Sequence, residues 1–521
     1  MPGVWVDCFS MEGWDTIVIG AGIGGLTAAA HLAKAGIRVL VLDRNPHPGG
    51  TAYVYHRKGF TFPMGPLGFS QPELIQEILR DLEMGEDFKL SRVHYRLRAF
   101  DLDVPLSLPI PEMVKELSKF FDSDTEGIKE FFKLVEEMTA SDQFSLKEIP
   151  NISALEYLQH FIKNIRLRRI LGSIGTREPY SGLPILAAMW NLMCKKGIWY
   201  PQEGMKSLCD RLMKAVSKPH KGLGEIRLKT EVIGIRVEKG KVLGVTLSDG
   251  TEIDSASVIS NADFKNTFIK LIEPEAIPPE WLQAVSKAKQ TNSIFQVCLG
   301  VSKERVDLSA FEQADRLIYK GNKDKAEEIN WDEAEINPEF LASQELEVSL
   351  WGREDNTLAP KGGAVMVIRT EAEYSHFIRY RSISSRRVPE YQDYKTRLAH
   401  ALIHETGNLI PGIENSILVT DVASPLTFED QGGRSQGAVA GWSWDDEDFQ
   451  DEKPKEMIRT PIRGLYMAGY QAFSALFMGG IPTAMESGKR AARAALEGAG
   501  PMEEILIPLS HTRRAKACPT P

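Results

Sequence analysis

The chain has 521 residues, 43% of them hydrophobic and 26% charged, a usage that excludes wholesale disorder and a single small domain. Its net charge of −9, from 62 basic and 71 acidic residues, excludes the broad basic face that nucleic-acid binding needs. Five cysteines (Cys8, Cys194, Cys209, Cys298 and Cys518) are scattered with no CxxC pair, which excludes a disulfide framework or a zinc ribbon and makes a reducing, cytoplasmic setting the default.

Taken in chain order, Met1–Trp14 contain Asp7 and Glu12 and no basic segment ahead of an apolar run, so they do not read as a secretory signal. Thr16–Ile19 is a β-branched run of the kind buried on both faces of a sheet. Gly20-Ala-Gly-Ile-Gly-Gly25 follows at once and fits GxGxxG. Leu26–Ala35 then reads as an Ala-rich helix with Gly36 as its stop, and Val39–Leu42 as a second buried strand. Asp43 closes that strand 18 positions past Gly25, near the ~20 of a dinucleotide-binding βαβ unit. Gly20 serves the tight turn, Gly22 the approach of a pyrophosphate to the backbone, and Gly25 the close packing of helix on strand. The helix N-terminus offers N–H groups and a positive dipole end to the phosphates. Asp43 accepts hydrogen bonds from ribose hydroxyls, and its charge repels a 2′-phosphate.

Residues 71–200 are rich in helical patterns, with Pro111–Thr139 amphipathic throughout. Glu225–Leu228, Val232–Val237 and Val242–Leu247 read as short strands, with Asp249-Gly250 as a hairpin turn, and Ser257–Ser260 as an apolar strand running into Asn261. Residues 276–425 mix strands at Ser293–Leu299, Glu347–Leu350 and Ala364–Arg369 with a helix near Tyr391–Thr406. Gly464–Gly469 is one more strand, and a helix opens at Ile481-Pro482 and runs to Leu496. The segment from Pro508, with Arg513, Arg514 and Lys516, reads as a loose terminus. The longest apolar stretches, Pro184–Cys194 and Ala472–Pro482, have eleven residues each, against about 20 for a spanning helix. Peripheral attachment to a membrane surface remains allowed.

These motifs together resemble the phytoene-desaturase-like FAD flavoproteins, which include carotenoid desaturases, carotenoid isomerases and retinol saturases. The resemblance spans roughly residues 14–498. It rests on Gly20–Gly25, Asp43, Gly49-Gly50, Gly59-Phe60 with Gly65-Pro66, and Gly197–Met205. It rests also on Val232, Ser260-Asn261-Ala262, Pro425–Thr427, Gly437 with Gly441-Trp442, and Gly464–Gly469 with Ser487-Gly488. It implies an α/β fold: a discontinuous, glutathione-reductase-like Rossmann FAD domain interleaved with an α+β substrate or cap domain. On this sequence the FAD domain is expected at 12–70, 200–275 and 455–498, the cap at 71–199 and 276–454, and a tail at 499–521. The implied FAD-binding residues are Gly20, Gly22, Ile23, Gly24, Gly25, Asp43, Arg44, Gly49, Gly50, Thr51, Val232, Gly469, Tyr470 and Ile481. Three positions depart from the family pattern. Thr51 stands where a basic residue is usual, Pro63 where Asp is common, and Tyr470 where an acid follows the last strand's glycine. The loop to Ser487-Gly488 is about three residues longer than usual, so Tyr470, Phe473, Leu476, Phe477 and Met478 are expected to form an apolar wall beside the flavin.

The implied activity is a flavin-mediated desaturation, saturation or isomerisation of a hydrophobic isoprenoid or polyene. The cofactor supplies the reactivity and the protein supplies orientation and exclusion of water. No GxSxG elbow or HExxH is present, and no catalytic side chain or metal is assigned. His400 and His404, spaced i, i+4, read as a pair on an exposed or half-buried helix, and Glu203 as a solvated loop acid. Pro184–Cys194 reads equally as a core helix of the cap or as a tunnel wall, and Trp190–Lys196 is the expected membrane contact. The expected partners are a hydrophobic small molecule and a membrane surface, with no nucleic acid and the oligomeric state left open. A flavin amine oxidase of the same fold and a non-catalytic FAD-binding structural protein are the alternatives.

Overall fold

The computed structural model describes residues 13–498 except 100, 141–153, 173, 175–182, 218–223, 322–336, 354, 356, 383, 385, 443–454 and 475–479. Leu476, Phe477, Met478 and the tail from residue 499 therefore lie outside the described residues. In chain order the elements that position the site are Thr16–Ile19 (β1), Ile23–Lys34 (α1), Val39–Leu42 (β2) and Pro72–Asp81 (α2). Ile110–Phe120 (α3), Thr125–Met138 (α4) and Leu183–Asn191 (α5) follow. Gly224–Arg227 (β3), Val258–Ser260 (β4), Ser293–Ser302 (β5), Leu346–Trp351 (β6), Gly363–Ala372 (β7) and Glu390–Gly407 (α6) come next. Leu465–Met467 (β8) and Gly480–Leu496 (α7) close the set.

Two sheets organise the chain. The first is five-stranded and parallel, in the order β8-β4-β1-β2-β3. Every residue of β1, β2, β4 and β8 is buried, as a parallel sheet covered on both faces requires. Helices α1 and α7 pack against each other over it, and Gly488 makes this possible: a Cβ there would lie 2.2 Å from the Gly24 carbonyl oxygen. The apolar face of α2, beyond the sequence division at residue 70, joins this same core through Ile75, Ile78 and Leu79.

The second sheet has seven strands, in the order Ile417–Ala423, β5, β7, β6, Arg316–Lys320, Tyr95–Ala99 and Leu102–Pro105. One face, with Phe295, Val297, Met366, Ile368 and Val348, packs on α6 through Leu398 and Leu402. The other face turns toward the first sheet. The amphipathic stretch at Pro111–Thr139 is two helices, α3 and α4, interrupted at Phe121–Asp124. These helices and α5 share a core in which Phe131 and Phe132 meet Trp190 edge-on.

This packing corrects the expected membrane contact. Trp190 is fully buried and donates from Nε1 to the Leu171 carbonyl at 2.9 Å. Met193 and Cys194 are buried too, and within 190–196 only Lys195 and Lys196 are exposed. The stretch is hydrophobic because it is core. Among the described residues no helix is long and apolar enough to cross a membrane.

Candidate functional site

The first sheet ends at a glycine turn. Gly20 sits at φ +94°, a region favoured by glycine, and bends the chain from β1 into α1. No side chain caps α1 at Gly22, so its first-turn N–H groups are left to a ligand. Gly24 has no room for a side chain: a Cβ would lie 2.6 Å from Asn261 Oδ1, 2.8 Å from Gly469 N and 2.9 Å from the Ala484 carbonyl oxygen. The Asp43 carboxylate ties the turn to the end of β2, accepting from Ala21 N and Asn45 N, each at 2.7 Å. Gly49 donates its N–H to the Ala21 carbonyl at 2.7 Å, which brings the Gly49–Thr51 turn beside the fingerprint.

A cavity of about 850 Å³ opens from this turn. Its far wall is built by the second sheet, through Ser293 and Ile294 of β5, Glu347 of β6, and Arg369 and Glu371 of β7. The loop at 432–440 and the N-terminus of α7 complete it. Arg434 bridges the walls. Its Nη2 donates to Thr51 Oγ1 at 2.6 Å, its Nη1 to the carbonyls of Ala438 and Val439, and its guanidinium stacks 4.6 Å from the Tyr470 ring centroid. Burial pushes the Tyr470 phenol well above its ordinary range, and Arg434 opposes that rise. Burial likewise lowers the Arg369 guanidinium, with Glu347 opposing.

The chain's relatives agree with this architecture. The family described as flavin containing amine oxidoreductase matches residues 23–360. The chain belongs to that family. It is 28% identical over 508 residues to prolycopene isomerase 1, chloroplastic, of an Oncidium hybrid cultivar, covering 89% of this chain and 81% of that protein. It is 24% identical over 519 residues to an inactive all-trans-retinol 13,14-reductase of Danio rerio, covering 90% and 84%. A lycopene-forming phytoene desaturase of Pseudescherichia vulneris matches at 27% over 322 residues, covering 56% and 65%. Among solved structures, an oxidoreductase from Methanosarcina mazei shares the fold with a TM-score of 0.61 at 18% identity, over 91% of this chain and 99% of that one. The chain is an FAD-dependent oxidoreductase.

The flavoenzyme's cavity fits that cofactor on its own evidence. Two helix N-termini, of α1 and α7, reach it at Gly22–Gly24 and at Gly480–Ile481. Four buried polar atoms on its wall lack a hydrogen-bond partner among the described residues: Tyr470 Oη, Gln290 Nε2, Ser293 Oγ and Gln471 Nε2. A buried polar group without a partner costs about 1–3 kcal/mol, so a ligand with polar edges suits this wall.

Of the residues expected from the sequence, Gly20, Gly22, Ile23, Gly24, Asp43, Arg44, Gly49, Gly50, Thr51, Val232, Gly469, Tyr470 and Ile481 all line the cavity. Gly25 does not. A Cβ on it would lie 2.1 Å from the Gly20 carbonyl oxygen, so its place is in the helix–strand packing. Phe473 is also off the wall: it is buried in the first core with the Arg490 guanidinium 4.3 Å from its ring centroid. The apolar wall expected around it therefore reduces, among the described residues, to Tyr470. Glu203 pairs with Arg211 at 3.1 Å and is exposed, and His404, also exposed, bonds Glu414 at 2.8 Å. Neither lines the cavity.

Sequence reasoning missed the far wall. Glu347 and Arg369 lie within or at the end of predicted strands, where nothing marks which face meets a ligand. Arg434 lies three residues before Gly437 and is not itself singled out by the sequence, yet its guanidinium brings a positive charge to Thr51, where the resemblance leads one to expect a basic residue in the chain.

Proposed function

We propose that this flavoenzyme acts on the carbon–carbon bonds of a hydrophobic isoprenoid or polyene by flavin-mediated desaturation, saturation or isomerisation. The observation that carries the reading is the near full-length match to the isomerase and the retinol reductase, over 89% and 90% of the chain. Bound FAD supplies two-electron chemistry that no side chain offers. In this reading the α1 N-terminus with Gly20, Gly22, Ile23 and Gly24 holds the pyrophosphate. Asp43, Arg44 and Val232 hold the nucleoside end. Gly49, Gly50, Thr51, Gly469, Tyr470 and Ile481 hold the flavin side. The second sheet and the 432–440 loop orient the lipid and keep water from it. The segments 12–70, 200–275 and 455–498 form the cofactor domain, with α2 added by its packing on α7, and the remainder of 71–454 forms the cap. A substrate of this kind is drawn from a lipid phase, so the protein works in the cytoplasm with reversible docking on membranes.

The test is to release the cofactor by heat, identify it, and then follow bleaching of the flavin under anaerobic conditions. FAD in the supernatant and reduction by a polyene, or reoxidation of the reduced protein by one, are expected. Release of FMN, or reduction by amines alone, would overturn the reading.

A further inference from the structure

The cavity's far wall is more polar than a bare hydrocarbon requires. Gln296, Arg369 and Glu347 lie in one row across β5, β7 and β6, each directly opposite the next. Further along the same face the sheet becomes apolar at Cys298, Val367 and Val365, under Val54, Phe60, Phe62 and Leu67. Of this row, Arg369 and Glu347 are the members that line the cavity.

Both charged members of the row are held on one side and unspent on the other. Arg369 donates from Nε to Gln296 Oε1 at 2.7 Å and from Nη2 to the Gly65 carbonyl. Its Nη1 has no partner among the described residues. Glu347 accepts on Oε1 from Tyr95 Oη at 3.1 Å and from Arg316 Nη1 at 3.3 Å. Its Oε2 has no partner among the described residues. Both residues line the cavity, and cross-strand neighbours place their Cβ atoms about 5 Å apart. A hydrocarbon laid on this row would desolvate two ionic groups and return no hydrogen bond, which is costly.

The row also selects the charge of its guest. A carboxylate head would meet Glu347, and an ammonium head would meet Arg369. A hydroxyl satisfies both, donating its proton to Glu347 Oε2 and accepting from Arg369 Nη1. Gly65 anchors the row close to the cofactor turn, since a Cβ on it would lie 2.7 Å from the Thr51 carbonyl oxygen.

We propose that Arg369 and Glu347 form a head-group site for a neutral, hydroxyl-bearing lipid, so that the substrate is an isoprenoid or polyene alcohol held by its hydroxyl beside the flavin turn. This deepens the lipid reading above and rests on it.

The test measures binding to the FAD-loaded protein in detergent, by perturbation of flavin absorbance, with one isoprenoid chain carrying different heads. Geranylgeraniol, its methyl ether, the corresponding amine and acid, and the matching hydrocarbon are the probes. The alcohol is expected to bind at least about tenfold tighter than the hydrocarbon, as a hydrogen bond to a charged group allows, and tighter than the amine and acid. The ether, which accepts but cannot donate, falls between alcohol and hydrocarbon. Glu347→Gln keeps an acceptor for Arg316 and Tyr95 but turns a donor toward the guest, so the alcohol's advantage over the ether should vanish with FAD content unchanged. Equal binding of alcohol and hydrocarbon by the parent overturns this inference and leaves the lipid reading standing. Tightest binding of the amine overturns both. Loss of FAD in Glu347→Gln assigns the row to the cofactor and overturns the head-group role. Failure of every probe to bind removes the lipid reading and this inference with it.

Discussion

Tyr470 shows how one position can serve a site that its family builds differently. Its ring lies under the Arg434 guanidinium, while its hydroxyl is buried with no partner among the described residues. The ring therefore contributes to the protein's own stability, and the hydroxyl is reserved for whatever fills the cavity. Removing a buried, unpartnered hydroxyl from the empty protein should be neutral or stabilising by up to about 1–2 kcal/mol. We expect the Tyr470→Phe apoprotein to match or exceed its parent in urea unfolding and to retain FAD binding. Arg434→Leu should lose about 1–3 kcal/mol, because it removes the stacking and strands Thr51 Oγ1 and two carbonyls. An apoprotein destabilised by Tyr470→Phe as much as by Arg434→Leu would mean that the hydroxyl has a structural role after all. The sequence made Tyr470 legible as a departure from a pattern. What it hid was the partner, because Arg434 is 36 residues away and its spacing to Tyr470 follows no local code.

At the scale of elements, three helices meet around His31 of α1. Lys489 of α7, Asp81 of α2 and Lys34 of α1 are the charges facing it, and its Nε2 has no hydrogen bond among the described residues. Burial, with Lys489 adding to it, lowers the imidazole from its ordinary value of 6.5 to about 4. A proton therefore binds the unfolded chain more readily than the folded one. The neutral ring's advantage is fully present above about pH 6.5 and is lost as pH falls from there through 4, on the order of 3 kcal/mol in all. His31→Leu should flatten that part of the stability–pH curve, as measured by chemical unfolding between pH 7 and pH 4. A curve parallel to the parent's would show that the joint does not exclude the proton. The strands β1 and β2 were legible to the residue, because short runs of Ile, Val and Leu bounded by glycine and Asp allow only one buried strand. Helix α1 starts at Ile23, three residues before the Leu26 that the sequence suggests, because its first turn contains the glycines that the cofactor turn demands. Strands Tyr95–Ala99 and Arg316–Lys320 went unread for another reason. They carry Arg96, Arg98, Arg316 and Lys320, which resemble solvated positions until Glu347 and Glu345 arrive from β6 and its approach to neutralise two of them.

At the scale of the whole molecule, the cavity is the seam between the two sheets. Its fingerprint side belongs to β1, α1 and β2, and its far side to β5, β6, β7 and the 432–440 loop. A ligand that spans the seam must couple both sides, whereas one that fills only the nucleotide end cannot. The fingerprint side is legible in the sequence because glycine spacing is a local code. The seam is not, since it depends on a register between strands more than 200 residues from β1. FAD and ADP therefore separate the two sides experimentally. At a hundred times its Kd either ligand adds about 2.7 kcal/mol through mass action alone, so the discriminating measurement is where protection falls. ADP should slow amide exchange at residues 20–25 and 43–51 only. FAD should protect those and also residues 290–293 and 432–440, where Gln290 Nε2 and Ser293 Oγ have no partner among the described residues. Protection of the far wall by ADP as strong as that by FAD would show that the two sides are already coupled through protein contacts. The cofactor would then not be what joins them.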